Sequence, residues 1–156
     1  MSRPFFLLWS WLGRLAYSLA RPIIRWVVRG SRRSRVLIVC DNDYLLLKQW
    51  LGDGSWSLPG GGLHKGEDSL RGALREVTEE LGLSLQPEEL ISRGHYDCRD
   101  GGFNFSYDLY VIRLPFRPEL QLQRLEILSA VWYDRSYVPT GRLTPEVAVA
   151  LANWPE

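Results

Sequence analysis

The hydrophobic pattern is clearest in the middle of the chain, where apolar residues recur at helical spacing. They are Leu70, Ala73, Leu74, Val77 and Leu81. Because positions three or four apart share one face of a helix, this pattern predicts a helix from Ser69 to Leu81. Asp68 or Ser69 is available as the N-cap of this helix, and Gly82 is placed to end it.

Shorter apolar runs predict β-strands on both sides of this helix. Two runs, 36–40 and 44–50, flank an Asp-Asn-Asp turn and predict a hairpin. After the helix, apolar and polar residues alternate from Phe103 to Leu114, as they do in a half-buried strand. The other predicted elements are strands at 91–99 and 126–133 and a closing helix at 144–154. Strands on both sides of a central helix indicate an α/β fold.

The beginning of the chain has a different pattern, with arginines on one side of a predicted helix and apolar residues on the other. At about 100° per residue, one narrow sector holds Arg3, Arg14, Arg21, Arg25 and Arg29. The opposite face holds Phe5, Leu8, Trp9, Leu12, Leu15, Ala16, Leu19, Ile23, Trp26 and Val27. This pattern is typical of an amphipathic helix that lies on a membrane with its arginines toward anionic lipid.

The stretch from Phe5 to Val28 is long enough to cross a bilayer, but its internal arginines make insertion costly. Arg21-Pro22 also favours a kink or break, so we expect one or two interfacial helices rather than a membrane span. An alternative stays open, in which the apolar stripe packs on its own domain or on a second subunit of a homodimer. A signal peptide is less favoured, because Arg14 interrupts the apolar core that such signals need.

Charge and composition divide the chain at the same place. Residues 1–35 contain eight arginines and no acidic residue, whereas the rest of the chain holds 11 basic and 18 acidic residues. This split indicates that the first residues meet a different partner from the domain. Residues 30–35 read as a short polar link, so we expect a basic amphipathic segment and linker over 1–34 and one globular domain over 35–156. Cys40 and Cys98 show no metal-binding or redox spacing and indicate reduced thiols of a cytoplasmic protein.

Three glutamates on the predicted central helix, Glu76, Glu79 and Glu80, stand at positions i, i+3 and i+4. This spacing places three carboxylates within about 5–6 Å of one another. Like charges that close repel one another unless a cation lies among them. Hard oxygen ligands suit Mg²⁺ or Mn²⁺, so the spacing predicts a divalent-metal site. The plain alternative is a solvated acidic face of a helix.

These glutamates belong to a longer spaced motif, which runs from Gly61 to Leu83 as GGLHKGEDSLRGALREVTEELGL. Its defining residues are Gly61, Glu67, Arg75, Glu76, Glu79, Glu80 and Gly82. The motif is a complete Nudix box, and the chain resembles the Nudix hydrolases, which cleave a diphosphate linked to another moiety. The resemblance implies an α/β/α sandwich with a mixed sheet, here preceded by the N-terminal amphipathic segment. It identifies no subfamily.

The resemblance also implies roles for individual residues. The implied metal ligands are Glu76, Glu79, Glu80 and the carbonyl of Gly60. Glu67 and Arg75 would form a pair that holds the loop to the helix, and Gly61 and Gly82 would be structural. The candidate catalytic residues are Glu79, Glu76, Arg75 and Glu126. The base that deprotonates the attacking water is left open between Glu79 and Glu126.

The function expected from these features is metal-dependent hydrolysis of a nucleoside diphosphate derivative. The N-terminal helix would hold the enzyme at a membrane surface, on the inner face of the cytoplasmic membrane. Two alternatives stay open: an RNA-processing enzyme whose basic arm tracks phosphates, and a binding or regulatory module without turnover. Nucleic acid is less favoured, because RNA has no need of the apolar stripe opposite the arginines. The complete set of box carboxylates argues against a module without turnover.

Overall fold

The computed structural model describes residues 3–100, 102–137, 139 and 141–155, and for residues 3–7 and 100 it describes the backbone alone. Within this part, three α-helices surround a six-stranded sheet. The helices are α1 (Arg3–Val28), α2 (Ser69–Leu81) and α3 (Pro145–Ala152). The strands are β1 (Arg32–Cys40), β2 (Asp43–Gln49), β3 (Trp56–Ser57), β4 (Ile91–Asp100), β5 (Phe103–Leu114) and β6 (Ile127–Asp134).

The sheet is mixed, as predicted. β1 lies parallel to β5 along its whole length, and β5 pairs antiparallel with β4. β2 pairs antiparallel with β1, with β3 and with β6. The strand order is β3-β2-β1-β5-β4, with β6 attached to β2.

β1 and β2 pair only next to the turn that joins them. Farther from the turn, the segment 59–63 takes the place of β2 beside β1. The Val36 N–H donates to the carbonyl of Pro59, and the Ser34 N–H donates to the carbonyl of Gly61, each at 3.0 Å. β5 occupies the other edge of β1, so the segment 59–63 lies on the side of β2. The glycine loop is therefore held by backbone hydrogen bonds at the edge of β1.

The two faces of the sheet are covered by different helices. Alternate residues of β1 face opposite sides, as the two-residue period of a strand requires. One core, under α2, contains Val36, Ile38, Leu45, Leu47, Ala73, Val77 and Leu81. The other, under α3, contains Leu37, Val39, Tyr44, Leu46, Tyr107, Val147 and Ala150. The predicted α/β/α sandwich is confirmed.

Helix α1 packs against the domain through one stripe of residues. The ring of Trp9 stacks on that of Trp50, with centroids 4.9 Å apart, and the Trp50 Nε1–H donates to the Trp9 carbonyl at 2.9 Å. Gly13 allows this approach, because a Cβ there would lie 2.2 Å from the Trp50 carbonyl oxygen. At the other end of the helix, Val28 packs against the α3-side core. The helix is therefore in contact with the domain from near its start to its end.

A second apolar face of α1 is exposed to solvent. It consists of Leu8, Trp11, Leu12, Leu15, Leu19, Ile23, Trp26 and Val27. This exposed face contains most of the apolar face predicted from the sequence. Of the predicted apolar residues, Trp9 belongs instead to the stripe that packs on the domain. The side chains of Arg3 and Phe5, which belong to the predicted pattern, lie outside the described part of the chain. No helix in the described residues is long and apolar enough to cross a membrane.

Of the one or two helices expected at the start of the chain, the structure has one, since α1 runs from Arg3 to Val28 with Pro22 inside it. One local prediction is wrong. The expected polar link over 30–35 is only partly a link, because β1 already begins at Arg32. Its first residues pair with β5 and with the segment 59–63, and these hydrogen bonds outweigh the polar composition. The division into 1–34 and 35–156 stays a proposal.

A buried ion pair connects β1 to α3. The Nε of Arg35 lies 3.2 Å from an Oε of Glu146, and the side chains are only 7% and 4% exposed. Arg35 also donates from Nη1 to the carbonyls of Gly60 at 2.6 Å and Ser34 at 3.2 Å. One side chain therefore ties α3 and the glycine loop to the same strand.

Glu146→Ala is expected to lower the free energy of unfolding by about 3–5 kcal/mol, because it leaves the charge of Arg35 buried and unpaired. Urea unfolding followed by circular dichroism measures this change. Arg32→Ala is the matched control, since it breaks the exposed pair with Asp108, and such a pair is worth about 0–1 kcal/mol. Equal losses in the two variants would contradict the role given to the buried pair.

Candidate active site

The box segment folds as a loop followed by helix α2, as its sequence predicts. Asp68 is the N-cap, and its Oδ1 accepts from the N–H groups of Leu70 and Arg71 at 3.1 and 3.3 Å. Gly82 ends the helix in a left-handed conformation, with φ of 70°, and donates to the carbonyl of Thr78. The two caps fix the limits of the helix, and with them the direction in which its carboxylates project.

Arg75 lies at the centre of the hydrogen bonds around this helix. Its Nε and Nη2 bind the two carboxylate oxygens of Glu67 at 2.9 and 3.1 Å, which is a bidentate pair. Its Nη1 donates to Glu76 at 2.9 Å and to Glu79 at 3.1 Å, and Nη2 also donates to the carbonyl of Gly62 at 3.1 Å. Arg75 thus joins the loop to two of the helix carboxylates.

Glu80 lies apart from this group, in a buried position. It is 3% exposed, and one carboxylate oxygen accepts from the N–H of Gly60 at 2.9 Å. Burial raises the pKa of Glu80 to about 8, the Gly60 hydrogen bond opposes this rise, and the charges of Glu76 and Glu126 add to it. A cation beside Glu80 would reverse the shift, because an opposite charge favours the ionised carboxylate.

Two glycines bring the loop against these carboxylates. A Cβ at Gly61 would lie 2.4 Å from an oxygen of Glu76, so only glycine leaves room for that side chain. The carbonyl of Gly60 accepts from Arg35 on β1, while its N–H binds Glu80 on α2. The backbone of Gly60 therefore connects groups from both sides of the sheet.

The structure brings the predicted site residues together only in part. Glu76 and Glu79 bind Arg75, Glu80 binds Gly60, and Glu126 lies before β6, close enough for its charge to act on Glu80. Among the described residues, no three side chains of the ligating types are arranged as a ready metal site. The donor atoms are nevertheless all oxygens, and the repulsion between Glu76 and Glu80 is the kind that a divalent cation relieves. The residues therefore fit Mg²⁺ or Mn²⁺ in their chemistry.

A cavity that the sequence did not reveal lies on the α3 side of the glycine loop. Its volume is about 250 Å³. The residues around it come from α1, strands β1 to β5, the loop 50–55, and the start of α3 with the segment before it. They include Tyr17, Arg21, Arg33, Arg35, Asp53, Phe103, Phe105, Arg142, Thr144 and Glu146. Phe103 and Phe105 of β5 belong to or pack against the α3-side core, and they also line this cavity.

Arg33 and Arg35 are the functional candidates that sequence reasoning missed. Both precede the predicted start of the strand, but they share the two-residue period of Leu37 and Val39 and so face the α3 side. Extending that period backwards would have found them. Burial and the charge of Arg35 lower the pKa of Arg33 to about 10, so Arg33 stays charged at neutral pH.

Comparison with known proteins agrees with the fold and the motif. The family model of the NUDIX domain matches residues 30–152. The crystal structure of a MutT NUDIX hydrolase from Burkholderia pseudomallei is 25% identical, with a TM-score of 0.72 over 81% of this chain and 99% of that one. The chain therefore belongs to the Nudix hydrolase family.

The curated relatives match over shorter stretches. A human protein, 8-oxo-dGDP phosphatase NUDT18, is 34% identical over 90 residues, which is 56% of this chain and 26% of the relative. The RNA pyrophosphohydrolase of Ruthia magnifica subsp. Calyptogena magnifica is 40% identical over 63 residues, 39% of this chain and 35% of the relative. The chain spans about a quarter to a third of the length of these two relatives.

Glu67→Gln is expected to destabilise the protein at pH 6 and to have little effect near pH 2. Hydrogen bonds from Arg75, and then from the His64 N–H, lower the pKa of Glu67 to about 2. A lowered pKa means that the pair stabilises the fold above the ordinary pKa of about 4.5 and loses this contribution as the pH falls toward 2.

Thermal unfolding of both proteins between pH 2 and pH 6 measures the effect. The difference in midpoint should shrink steadily as the pH is lowered. Glu119→Gln, at an exposed position, is the control and should change the midpoint little at any pH. A Glu67→Gln difference that stays constant over this range would contradict the proposed stabilisation by Arg75.

Proposed function

We propose that this protein is a metal-dependent pyrophosphohydrolase that cleaves a nucleoside diphosphate linked to another moiety. The observation that carries the proposal is the arrangement around α2. Arg75 binds Glu67, Glu76 and Glu79, and the buried carboxylate of Glu80 binds the backbone of the glycine loop. Such a set of preorganised oxygen donors beside a glycine loop suits a diphosphate bound together with a cation.

Glu76, Glu79 and Glu80 would hold the Mg²⁺ or Mn²⁺ ion, and Gly60 could add its carbonyl only while sharing it with Arg35. The ion would neutralise the diphosphate and lower the pKa of a bound water. Arg75 keeps two of the carboxylates in place and offsets part of their charge. Glu79, half-exposed on α2, and Glu126, exposed before β6, are both candidates for the base.

The catalytic proposal predicts that Glu80→Gln lowers diphosphate hydrolysis by at least about 100-fold. The fold should persist, because Gln has the shape of the protonated carboxylate that burial favours at this position. Purified protein is assayed with Mg²⁺ against a panel of nucleoside diphosphate derivatives, and circular dichroism verifies folding.

Glu88→Gln, an exposed carboxylate outside α2, is the control and should keep wild-type turnover. Near wild-type turnover of Glu80→Gln at saturating Mg²⁺ would refute the metal assignment. The panel includes a 5′-triphosphorylated RNA, because one relative is named an RNA pyrophosphohydrolase. If the RNA were the one compound hydrolysed, RNA would replace the small-molecule derivative as the proposed substrate.

We also propose that the exposed apolar stripe of α1 rests on an anionic membrane surface. Leu19 and Trp26 are 74% and 78% exposed, and they belong to a continuous apolar face. Arg14 and Arg29 are exposed on the same helix or just after it, and each basic residue near anionic lipid contributes about 1 kcal/mol. Arg21 and Arg25 contribute less, since Arg21 lines the cavity and Arg25 lies over the ring of Phe103.

The full-length protein is therefore expected to sediment with vesicles that contain phosphatidylglycerol, and less so in raised salt. Replacing Leu19 and Ile23 together by Gln should lower the partition constant between vesicles and water at least about 10-fold. The reason is that two apolar side chains are lost from the face that would be buried in the membrane surface. Leu125→Gln is the control, since Leu125 is 71% exposed but lies outside α1.

Absence of wild-type protein from the vesicle pellet would refute the membrane proposal. Sedimentation equilibrium in solution then tests the alternative occupant, a second copy of the chain. A dimer that dissociates in the same double variant would assign the exposed stripe to a subunit interface.

A further inference from the structure

Helix α1 forms one wall of the cavity beside the glycine loop. Tyr17 and Arg21 line it from the helix, and Phe103 and Phe105 line it from β5. The family model begins at residue 30, so α1 lies outside the part of the chain that matches the family. The shape and charge of this wall are therefore a feature that this chain adds to the family domain.

The charge of the cavity lining is unbalanced. Arg35 is paired with Glu146 at 3.2 Å, and Arg142 is paired with Asp53 at 3.5 Å. The other two arginines of the lining, Arg21 and Arg33, take part in none of the ion pairs found among the described residues. The cavity therefore carries an excess of two positive charges, which favours an anionic ligand.

The Arg33 side chain is positioned by its neighbours and, within the described part of the chain, has a free hydrogen-bond donor. Its guanidinium lies over the ring of Phe105, 5.3 Å from the centroid, which fixes its direction. Its Nε is buried and has no hydrogen-bond partner among the described residues, and the same is true of Thr144 Oγ1. Unpaired buried polar atoms are costly, and an anion in the cavity would supply the missing acceptor.

The backbone of Gly60 connects the cavity with the carboxylates of α2. Arg35 donates to the carbonyl of Gly60, and the N–H of Gly60 donates to Glu80. A substrate whose diphosphate lies at the glycine loop could therefore extend its other end into the cavity. A volume of about 250 Å³ is below the roughly 300–1,000 Å³ of pockets that enclose a whole drug-sized ligand, so it suits one end of such a substrate.

We propose that Arg21 of α1, with Arg33 and Arg142, binds a phosphate group that the substrate carries at the end remote from its scissile diphosphate. The proposal rests on the function proposed above. It narrows the substrate class to diphosphate derivatives that carry a further phosphate group at the remote end. It identifies Arg21 as a specificity-determining residue and gives α1 a direct part in substrate selection. A guanidinium suits this role, because it binds phosphate oxygens through parallel hydrogen bonds.

The test compares matched compounds that differ by one remote phosphate: NADPH with NADH, and coenzyme A with dephospho-coenzyme A. Their dissociation constants are measured by calorimetry on the full-length protein in EDTA, where no metal-dependent turnover can consume them. At least one phosphorylated compound is expected to bind about 10-fold or more tightly than its partner. Arg21→Gln should abolish this difference and leave the affinity for the partner within about twofold.

Arg14→Gln is the matched control, because Arg14 is an exposed residue of the same helix but does not line the cavity. It should keep the preference for the phosphorylated compound. Equal affinities within both pairs, no measurable binding of any of the four compounds, or a preference that survives Arg21→Gln would overturn the proposal. The proposed hydrolysis is tested separately, by turnover of the nucleoside diphosphate derivatives with Mg²⁺. Absence of turnover there would contradict the hydrolysis, and the titrations in EDTA do not depend on it.

Discussion

The backbone of Gly60 is the contact on which the rest of the site depends. Its carbonyl accepts from the buried Arg35 and its N–H donates to the buried Glu80, so this one residue is held from both faces of the sheet. The hydrogen bonds of the neighbouring residues to β1 keep the loop in the gap between β1 and β2. A loop fixed in this way presents its backbone to a ligand without the entropic cost of ordering it at the moment of binding.

The two sides of this loop have opposite electrostatic character. On the α2 side, carboxylates are crowded, and one guanidinium, that of Arg75, offsets only part of their charge. On the α3 side, arginines are in excess over the two acidic residues of the cavity lining. A nucleoside diphosphate derivative with a bound cation would meet both requirements, because the cation would offset the carboxylates and the anionic groups of the ligand would offset the arginines.

Helix α1 connects this site to the surface of the molecule. One stripe of the helix contacts the domain through Trp9, Gly13 and Val28, and part of the same side lines the cavity. The other stripe exposes a row of large apolar side chains. Since both stripes belong to one continuous helix, anything that covers the exposed stripe would also hold the wall of the cavity in place. The proposed surface attachment and the proposed substrate selection would then be physically coupled.

The sequence by itself determined the family, the limits of α2, the position of β5 and the mixed α/β architecture. These depend on local signals: helical spacing, a capping aspartate and glycine, strict alternation, and a motif whose residues are close in the chain. The tertiary structure alone decided that Arg32–Arg35 join β1, that α1 has two apolar stripes, and that Arg33, Arg35 and Glu146 meet beside the glycine loop. Arg35 and Glu146 are 111 residues apart in the chain, and no local pattern of charge or hydrophobicity records which distant partner will neutralise a buried arginine. Only the packing of α3 against the sheet brings the two together.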